Sequence, residues 1–589
     1  MANILGLKLT NHDTGAALIA GDKIVAIADE RLSRVKHSRN MFPERAIFYC
    51  LNALHIAPED VDHIVVDQVN MKTVLNMEKI FRDWDTKGLF SRAVFHVINH
   101  HDAHASSAFF CSPFKDAAVL VYDGYGETFL NQFGIPVVET ETLYHGTENS
   151  LIEFQKTTHP KLGKIPPTFG IGRLYTLLSW HYLNFGPFNE GKMMGLAGYG
   201  TDEILKQFPP ERWFRDYRGH ILCNSNVVFP LKEEVENKNA KQFIVKLLRP
   251  IKEKTYSALQ SVAECFSRFA HKDKNEYYRY AREYKFFKEI RLPRPPRGEK
   301  DALPDSYYSS VAYAGQELLE QIAVLWGRRL KKLSRSENIC IAGGVGLNID
   351  ANRNFLEKVG FKHIWVQPGA SDTGIALGCA LYGAHVILGQ PRFFEMKSAS
   401  LGKTYSEEEI LAAIKKYKDS IIVKKSPRVT VEVARLIADG NIIGWFHGGS
   451  EYGPRALGNR SILCDARRED MKDVLNNKVK HREPWRPFAT SILSEHQNEW
   501  FELDERSPFM LLDAPVREEK KKLIPSIVHV DGTCRIQAVT KESNARYYDL
   551  LQEFKKITGV PLVLNTSFNL GGDPIVETPN DALDTFLKT

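Results

Sequence analysis

The chain has 589 residues, which at about 100–200 residues per domain leaves room for two to four domains and excludes a peptide or a single small module. Apolar residues make up 43% and charged residues 25%, ordinary globular usage that excludes wholesale disorder, collagen and long coiled coils. Lys and Arg outnumber Asp and Glu by 78 to 72, a formal +6 too dilute to imply a nucleic-acid or membrane surface, while anionic small molecules in local pockets stay open.

The N-terminal stretch MANILGLKLTNHD has no basic segment followed by an apolar one, and no run of 18 apolar residues occurs, so a soluble cytoplasmic protein without a membrane partner is expected. Ile4 to Lys8 and Ala16 to Ala20 read as strands around the polar turn Asn11-His12-Asp13-Thr14-Gly15, and Gly21-Asp22 makes a two-residue hairpin into Lys23 to Ala28. Pro43 opens an amphipathic helix with Ile47, Cys50, Leu51 and Leu54 on one face, and His63 to Val66 returns as a buried strand. Strand, turn and helix recur at Ala117 to Tyr122, at Ile339 to Ala342 with a helix through Asn348, and at Ile364 to Val366 with a helix from about Thr373 to Leu388. This alternation predicts an α/β fold with a largely covered sheet. Residues 202–300 loosen into a charged, aromatic-rich helical insertion that ends in the extended connector Arg291-Leu-Pro-Arg-Pro-Pro-Arg-Gly. A second α/β pattern follows Gln390-Pro391, with helices near Val431 to Asp439 and Asp470 to Val479 and strands at Ile442 to Phe446 and Pro561 to Leu564, placing the boundary at 393–404. No internal repeat is evident. Eight cysteines form no CxxC pair, against zinc knuckles and a disulfide framework.

His100-His101-Asp102-Ala103-His104 sets two histidines four apart, so on a helix both imidazoles project from one face and can grip one metal; read alone they are also two solvated helix histidines. The zinc-protease form is disfavoured, since it needs Glu directly after the first His and position 101 is His. Asp123, just past an apolar strand, and Asp372, in Gly369-Ala-Ser-Asp-Thr-Gly, each read as a helix cap or as further ligands of a hard, mixed site suited to Fe(II), Mn(II) or Zn(II). Gly343-Gly344-Val-Gly346-Leu-Asn348 lacks the third glycine of GxGxxG; it lets a nucleotide approach the backbone or makes a tight structural turn. Leu401-Gly402-Lys403-Thr404 is no phosphate loop, because Lys397 stands where the first Gly is required. The densest signal is Glu451-Tyr-Gly453-Pro-Arg455-Ala-Leu-Gly458-Asn459-Arg460-Ser461, followed by Lys478, Lys480, Arg482, Arg486 and Arg535. Cations beside glycines suit a polyanion such as a nucleoside triphosphate, whereas a solvated basic face leaves the Pro and Gly unexplained. Asn565-Thr-Ser567-Phe-Asn569 follows the strand Pro561 to Leu564, where an open α/β sheet binds ligand or a capped turn forms.

Taken together, these segments resemble the carbamoyltransferase family that includes the nodulation-factor, tobramycin and cephamycin O-carbamoyltransferases. The resemblance covers nearly the whole chain outside the insertion, and the motifs run in family order: Asn11-His12-Asp13, Glu30-Arg31-Leu-Ser-Arg34-Val-Lys36-His37, His100 to His104, Asp123-Gly, Glu190-Gly-Lys192-Met-Met-Gly195-Leu-Ala, Gly343-Gly344, Asp372, Gly453 to Ser461, Arg486-Pro-Phe, Asp531-Gly-Thr-Cys-Arg535 and Asn565 to Asn569. It implies a Kae1-like first domain of the actin-like ATPase superfamily (1–395) and a YrdC-like second domain (400–589). Members similar to this chain convert carbamoyl phosphate and ATP, with Mg(2+), to carbamoyladenylate in the YrdC-like part and pass the carbamoyl group to a hydroxyl of a small-molecule natural product in the Kae1-like part.

By motif position, the resemblance implies that His100, His104, Asp123 and Asp372 hold iron or another divalent transition metal and that Gly343, Gly344 and Asn348 line the adenosine. Adenylate formation needs cations around the phosphates, for which Lys480, Arg482, Arg486, Arg455, Arg460 and Arg535 are the candidates, with Ser461, Asn565, Ser567 and Asn569 beside them. His12 is the candidate base for the acceptor hydroxyl, or a neutral structural histidine. Lys36 stabilises an oxyanion, orients phosphate, or is an exposed lysine. The chain departs from the family pattern at His447 and Gly449-Ser450, where Gln and an Arg and Met are usual, and at Gly346 and Gly198, where Ala and Pro are. Thr578-Pro579 opens a closing helix, beyond which relatives continue into a strand. A homodimer and no nucleic-acid partner are expected. A tRNA threonylcarbamoyladenosine-type synthase needs a concentrated basic surface that +6 does not support, and a non-catalytic nucleotide or metal sensor needs only one of the two sites.

Overall fold

The computed structural model describes residues 2–9, 11–68, 76–131, 136–160, 168–217, 219–225, 227–228, 288–292 and 306–589. The apolar run Ile4–Lys8 (β1) is buried along its whole length because it lies in mid-sheet. It pairs antiparallel with Gly15–Ala20 (β2), which pairs antiparallel with Lys23–Ala28 (β3); on its other side it pairs parallel with His63–Gln68 (β4), itself parallel to Val94–Asn99 (β5). A second sheet starts from Asp116–Tyr122 (β6), with Thr128–Leu130 (β7), Pro136–Thr147 (β8) and Ser150–Pro160 (β9).

Of the segment 202–300, expected to be helical, the described parts hold one short helix, Glu203–Gln207, a helical turn at Pro210–Arg212 and four short strands. Thr168–Phe169 (β10) joins Phe214–Tyr217 (β11) and His220–Asn224 (β12) in one small sheet, and Val227–Val228 (β13) pairs with Ile290–Arg291 (β14). Arg291 is thus a strand residue, and residues 229–287 and 293–300 of the expected insertion and connector lie outside the described residues. Asn338–Ala342 (β15) and His363–Val366 (β16) then complete the second sheet, parallel to β6.

The order β9-β8-β6-β15-β16, two antiparallel pairings followed by two parallel ones, repeats the order β3-β2-β1-β4-β5 of the first sheet. The duplication is one of pairing topology. Each copy needs apolar strands and connections of the right handedness, not equal spacing or equal residues, so the sequence shows no repeat. The helix Ile375–Tyr382 is apolar and buried up to Leu381, packing on β1 and on the helix His100–Phe109. It begins after a tighter turn at Asp372–Gly374 and ends in a wider one at Gly383–Ile387. The expected helix through Asn348 is instead a short turn, Gly344–Leu347, with Asn348 capping the helix Ile349–Glu357.

Residues 389–406 carry no helix or strand beyond a bridge from Ser400 to Glu451. The last sheet holds Ile443–Phe446 (β17), Arg460–Cys464 (β18), Ala489–Leu493 (β19), Asp513–Pro515 (β20), Thr533–Val539 (β21) and Leu562–Ser567 (β22), in the order β17-β18-β22-β19-β21-β20. Asn565 and Ser567, expected beyond a strand end, are strand residues of β22. Among the described residues no helix is long and apolar enough to cross a membrane.

Candidate active site

The ends of β1, β6 and β16 and the start of the helix His100–Phe109 converge. Asn99 caps that helix by accepting the N–H groups of His101 and Asp102, and its first turn turns His100 and His104 inward, both fully buried. Donor atoms of His100, His104, Asp123 and Asp372 all lie within 4.8 Å of one another. His100 Nε2 stands 3.8 Å from Asp123 Oδ2 and 3.6 Å from Asp372 Oδ1, and His104 Nε2 is 3.7 Å from Asp372 Oδ1. Both Nε2 atoms are buried without a hydrogen-bond partner, as expected of ligands aimed at a metal rather than of solvated helix histidines.

Behind this set, His100 Nδ1 meets Asp67 Oδ2 at 2.8 Å, and the same oxygen accepts Lys8 Nζ at 2.9 Å. A carboxylate on Nδ1 fixes the tautomer that leaves Nε2 free to ligate. Burial pulls His100 down, but Asp372, Asp123 and Asp67 outweigh it and lift the imidazole to about 10. Burial pushes Asp123 and Asp372 up, yet His100 and His104 hold the first at about 2, and Lys8, His100 and His104 hold the second well below the usual carboxylate range. The donor set therefore demands positive charge, and its two nitrogens and two carboxylates fit a borderline divalent cation.

Asp123 and Asp372 also line a cavity of about 650 Å³. At the same end, His12 Nδ1 lies 3.0 Å from Asp13 Oδ2, whose other oxygen meets His37 Nδ1 at 2.8 Å. Burial lowers His12, but Asp13 and then Asp372 outweigh it and raise the imidazole above its ordinary value. Gly344 lines the cavity and its N–H donates to Asp123 Oδ1 at 2.9 Å. Asn348 lines it too, held by a two-way amide bond to Gln316. Gly343 does not line it. Its φ of +91° and the Tyr122 carbonyl 2.3 Å from any Cβ make it the tight structural turn.

The same cavity continues to Lys36, Arg455, Lys480, Arg482, Arg486 and Arg535, with Asn565, Ser567 and Asn569. The two sets, expected in separate domains, share one chamber. Glu451 organises the loop that carries Arg455: its Oε1 accepts the N–H groups of Leu457, Asn459 and Arg460. Gly453, at φ +107°, lets that loop approach the Pro368 carbonyl, which would stand 2.4 Å from a Cβ. A wide turn at Asn476–Lys480 delivers Lys480 inward. Its Nζ donates to Asn569 Oδ1 at 2.8 Å, to the Asn569 carbonyl at 3.0 Å and to the Ser567 carbonyl, all uncharged acceptors.

Burial and then the like charges of Arg482, Arg486 and Lys36 hold Lys480 well below its ordinary value; burial with Arg535 and Arg486 does the same to Arg455. Burial and the neighbouring arginines bring Arg482 to about 9, and burial with Arg486 brings Arg535 to about 10. Buried cations with almost no carboxylate partners are costly unless an anion joins them.

Arg460 and Ser461, expected in the phosphate set, do not line the chamber. Arg460 is fully buried away from the cavity, donating to the carbonyls of His447, Gly448 and Asn459 and lying 3.7 Å over the Phe446 ring. Ser461 accepts the Gly458 N–H inside β18. Both pin the loop rather than face the chamber. Lys8, Asp67, Asp13, His37 and Glu451 carry positioning roles that pattern reading did not assign. A charge inside the apolar runs Ile4–Lys8 and His63–Gln68 was the available signal for the first two.

In this α/β chain a His/Asp set whose donor atoms lie close enough to hold one metal ion and a cluster of buried cations open on one chamber. The family models for the carbamoyltransferase N-terminus, over residues 3–89 and 71–381, and the carbamoyltransferase C-terminus, over 434–589, both match. The chain belongs to the carbamoyltransferase family and is a carbamoyltransferase. It is similar to an uncharacterized protein of Synechocystis sp., 31% identical over 100% of this chain and 95% of that one. Nodulation protein NolNO of Sinorhizobium fredii is 33% identical, over 98% of this chain and 77% of its own length. Nodulation protein NolO of Bradyrhizobium diazoefficiens is 34% identical over 84% and 76%. The solved structure of T. kodakarensis HypF superposes with a TM-score of 0.32 at 15% identity, covering 66% of this chain and 48% of HypF.

Proposed function

We propose that this carbamoyltransferase converts carbamoyl phosphate and ATP, with Mg(2+), to carbamoyladenylate and transfers the carbamoyl group to a hydroxyl of a small-molecule natural product. The observation that carries the reading is the single chamber that joins buried cations with almost no carboxylate partners to His12 and the His/Asp set. At the cation end, water splits carbamoyl phosphate into carbamate and inorganic phosphate. A carbamate oxygen then bonds the α-phosphorus of ATP, and the bond to pyrophosphate breaks. Arg455, Arg482, Arg486, Arg535 and Lys480 offset the charge that builds on the phosphoryl oxygens.

At the other end the acceptor oxygen bonds the carbamoyl carbon while the bond to AMP breaks. His12 takes the hydroxyl proton on Nε2, Asp13 on Nδ1 holding the tautomer. Lys36, on the chamber wall with Arg486, orients the phosphate. Iron or another divalent transition metal held by His100, His104, Asp123 and Asp372 supplies Lewis acidity toward the adenylate when bound. In this reading the duplicated sheet topology supports a Kae1-like unit of the actin-like ATPase class, with a YrdC-like unit after it, in a cytoplasmic, homodimeric enzyme without a nucleic-acid partner. The test is incubation of metal-loaded protein with carbamoyl phosphate, ATP and a panel of hydroxylated natural products, read by mass spectrometry and pyrophosphate release. Added carbamoyl groups are expected; neither product nor pyrophosphate across the panel overturns the proposal.

A further inference from the structure

Arg31 sits on the short helix Glu30–Ser33 of the N-terminal part and is only 3% exposed. Its Nη2 crosses to the C-terminal part, donating to the carbonyls of Gly453 at 2.7 Å and Glu451 at 3.2 Å, on the loop that carries Arg455. Its Nη1 is buried and has no hydrogen-bond partner, and the side chain lines the common chamber. Among the described residues no carboxylate pairs with it, and it stands close enough to Lys36 to depress that amine together with Arg486. A buried guanidinium on a chamber wall that spends one nitrogen on a loop and leaves the other bare has a donor left for an oxygen in the chamber; Arg460, which also has a bare Nη2, does not line it.

We infer that Arg31 is a phosphoryl-binding residue, given by the N-terminal part to the cation cluster of the C-terminal part, which takes an anionic oxygen on Nη1 while Nη2 stays on the Gly453 loop. The inference rests on the polyphosphate reading above. It makes occupancy of the cluster depend on both parts of the chain being in register, since the same guanidinium touches the loop and the anion.

A comparison residue lies three positions on. Arg34 also crosses between the parts, donating to the carbonyls of Ile575 and Pro574 at 2.7 Å each, but does not line the chamber. Calorimetry of the full chain with pyrophosphate, inorganic phosphate and AMP, on wild type, Arg31→Gln, Arg31→Lys and Arg34→Gln, separates anion binding from interdomain bracing. Arg31→Gln is expected to weaken at least one of the three probes about tenfold to a hundredfold, the loss of one charged hydrogen bond. Arg31→Lys keeps charge but cannot serve loop and anion together, so it falls between. Arg34→Gln leaves all three affinities near wild type. The probe most affected shows whether a polyphosphate, a free phosphate or a nucleotide monophosphate supplies the oxygen. Equal affinities in Arg31→Gln and wild type overturn the inference, as does an equal loss in Arg34→Gln. If Arg31→Gln does not fold, Arg31→Lys against Arg34→Gln decides it by the same criterion. A wild type that binds none of the probes removes the polyphosphate reading itself, and the inference with it.

Discussion

Arg535→Met should stabilise the ligand-free protein while weakening its response to pyrophosphate. Arg535 projects from β21 into the chamber with Nε buried and unpartnered. Burial, with Arg486 adding to it, lowers its pKa from 12.5 to about 10. At about 1.4 kcal/mol per unit, that is about 3 kcal/mol against the charged form, an upper figure because the chamber wall is partly open to solvent; about 1–2 kcal/mol is a working value. For a cation whose folded pKa is depressed, the penalty is complete below the folded value and relieved only as pH rises from about 10 toward 12.5. The gain from Arg535→Met should therefore be flat across neutral pH. Pyrophosphate at a hundred times its Kd should stabilise the wild type by about 2.7 kcal/mol, and a tenfold weaker variant by only about 1.4 kcal/mol at the same concentration. Urea denaturation with and without pyrophosphate reads both quantities. A variant that is less stable without ligand yet keeps the full pyrophosphate increment would refute the argument that partnerless charge is stored here for an anion.

His104→Ala should drop bound transition metal from about one per chain to a small fraction by elemental analysis, with the fold retained, because it removes one of only two nitrogen ligands; unchanged occupancy dismisses the site. Arg486→Ala should slow pyrophosphate release from carbamoyl phosphate and ATP about a hundredfold, with supplied carbamoyladenylate restoring transfer. His12→Ala should leave that release near normal and slow transfer about a hundredfold; equal loss of the first step in both variants would make the division of labour wrong. Burial raises the Glu141 carboxyl to about 7, so folding favours its protonated form, and stability should fall by up to about 3 kcal/mol as pH climbs from the unfolded value through about 7. Glu141→Gln should flatten that slope in denaturation series from pH 5 to 8; an unchanged slope counts against the buried acid.

Local patterns were enough for β1 to β4 of the first sheet, though not for β5, and for the amphipathic helix after Pro43 and the helix around Ile375 to Tyr382, because apolar periodicity and turn chemistry act over a few residues. The His100 and His104 pair was legible for the same reason, since helical spacing alone puts both rings on one face. Which carboxylates meet them was not a local matter: Asp123 and Asp372 are 249 positions apart and come together only because the second sheet sets β6 beside β15 and β16. Arg460 and Arg455 show the limit most plainly. They are cations five apart in one motif, but a strand start turns one guanidinium onto backbone carbonyls and a glycine-hinged loop around Glu451 turns the other into the chamber. Residue type determined that both carry charge; only packing decided which of them faces the chamber, because the direction of a side chain is set by the φ, ψ and neighbours of its own residue and not by its motif.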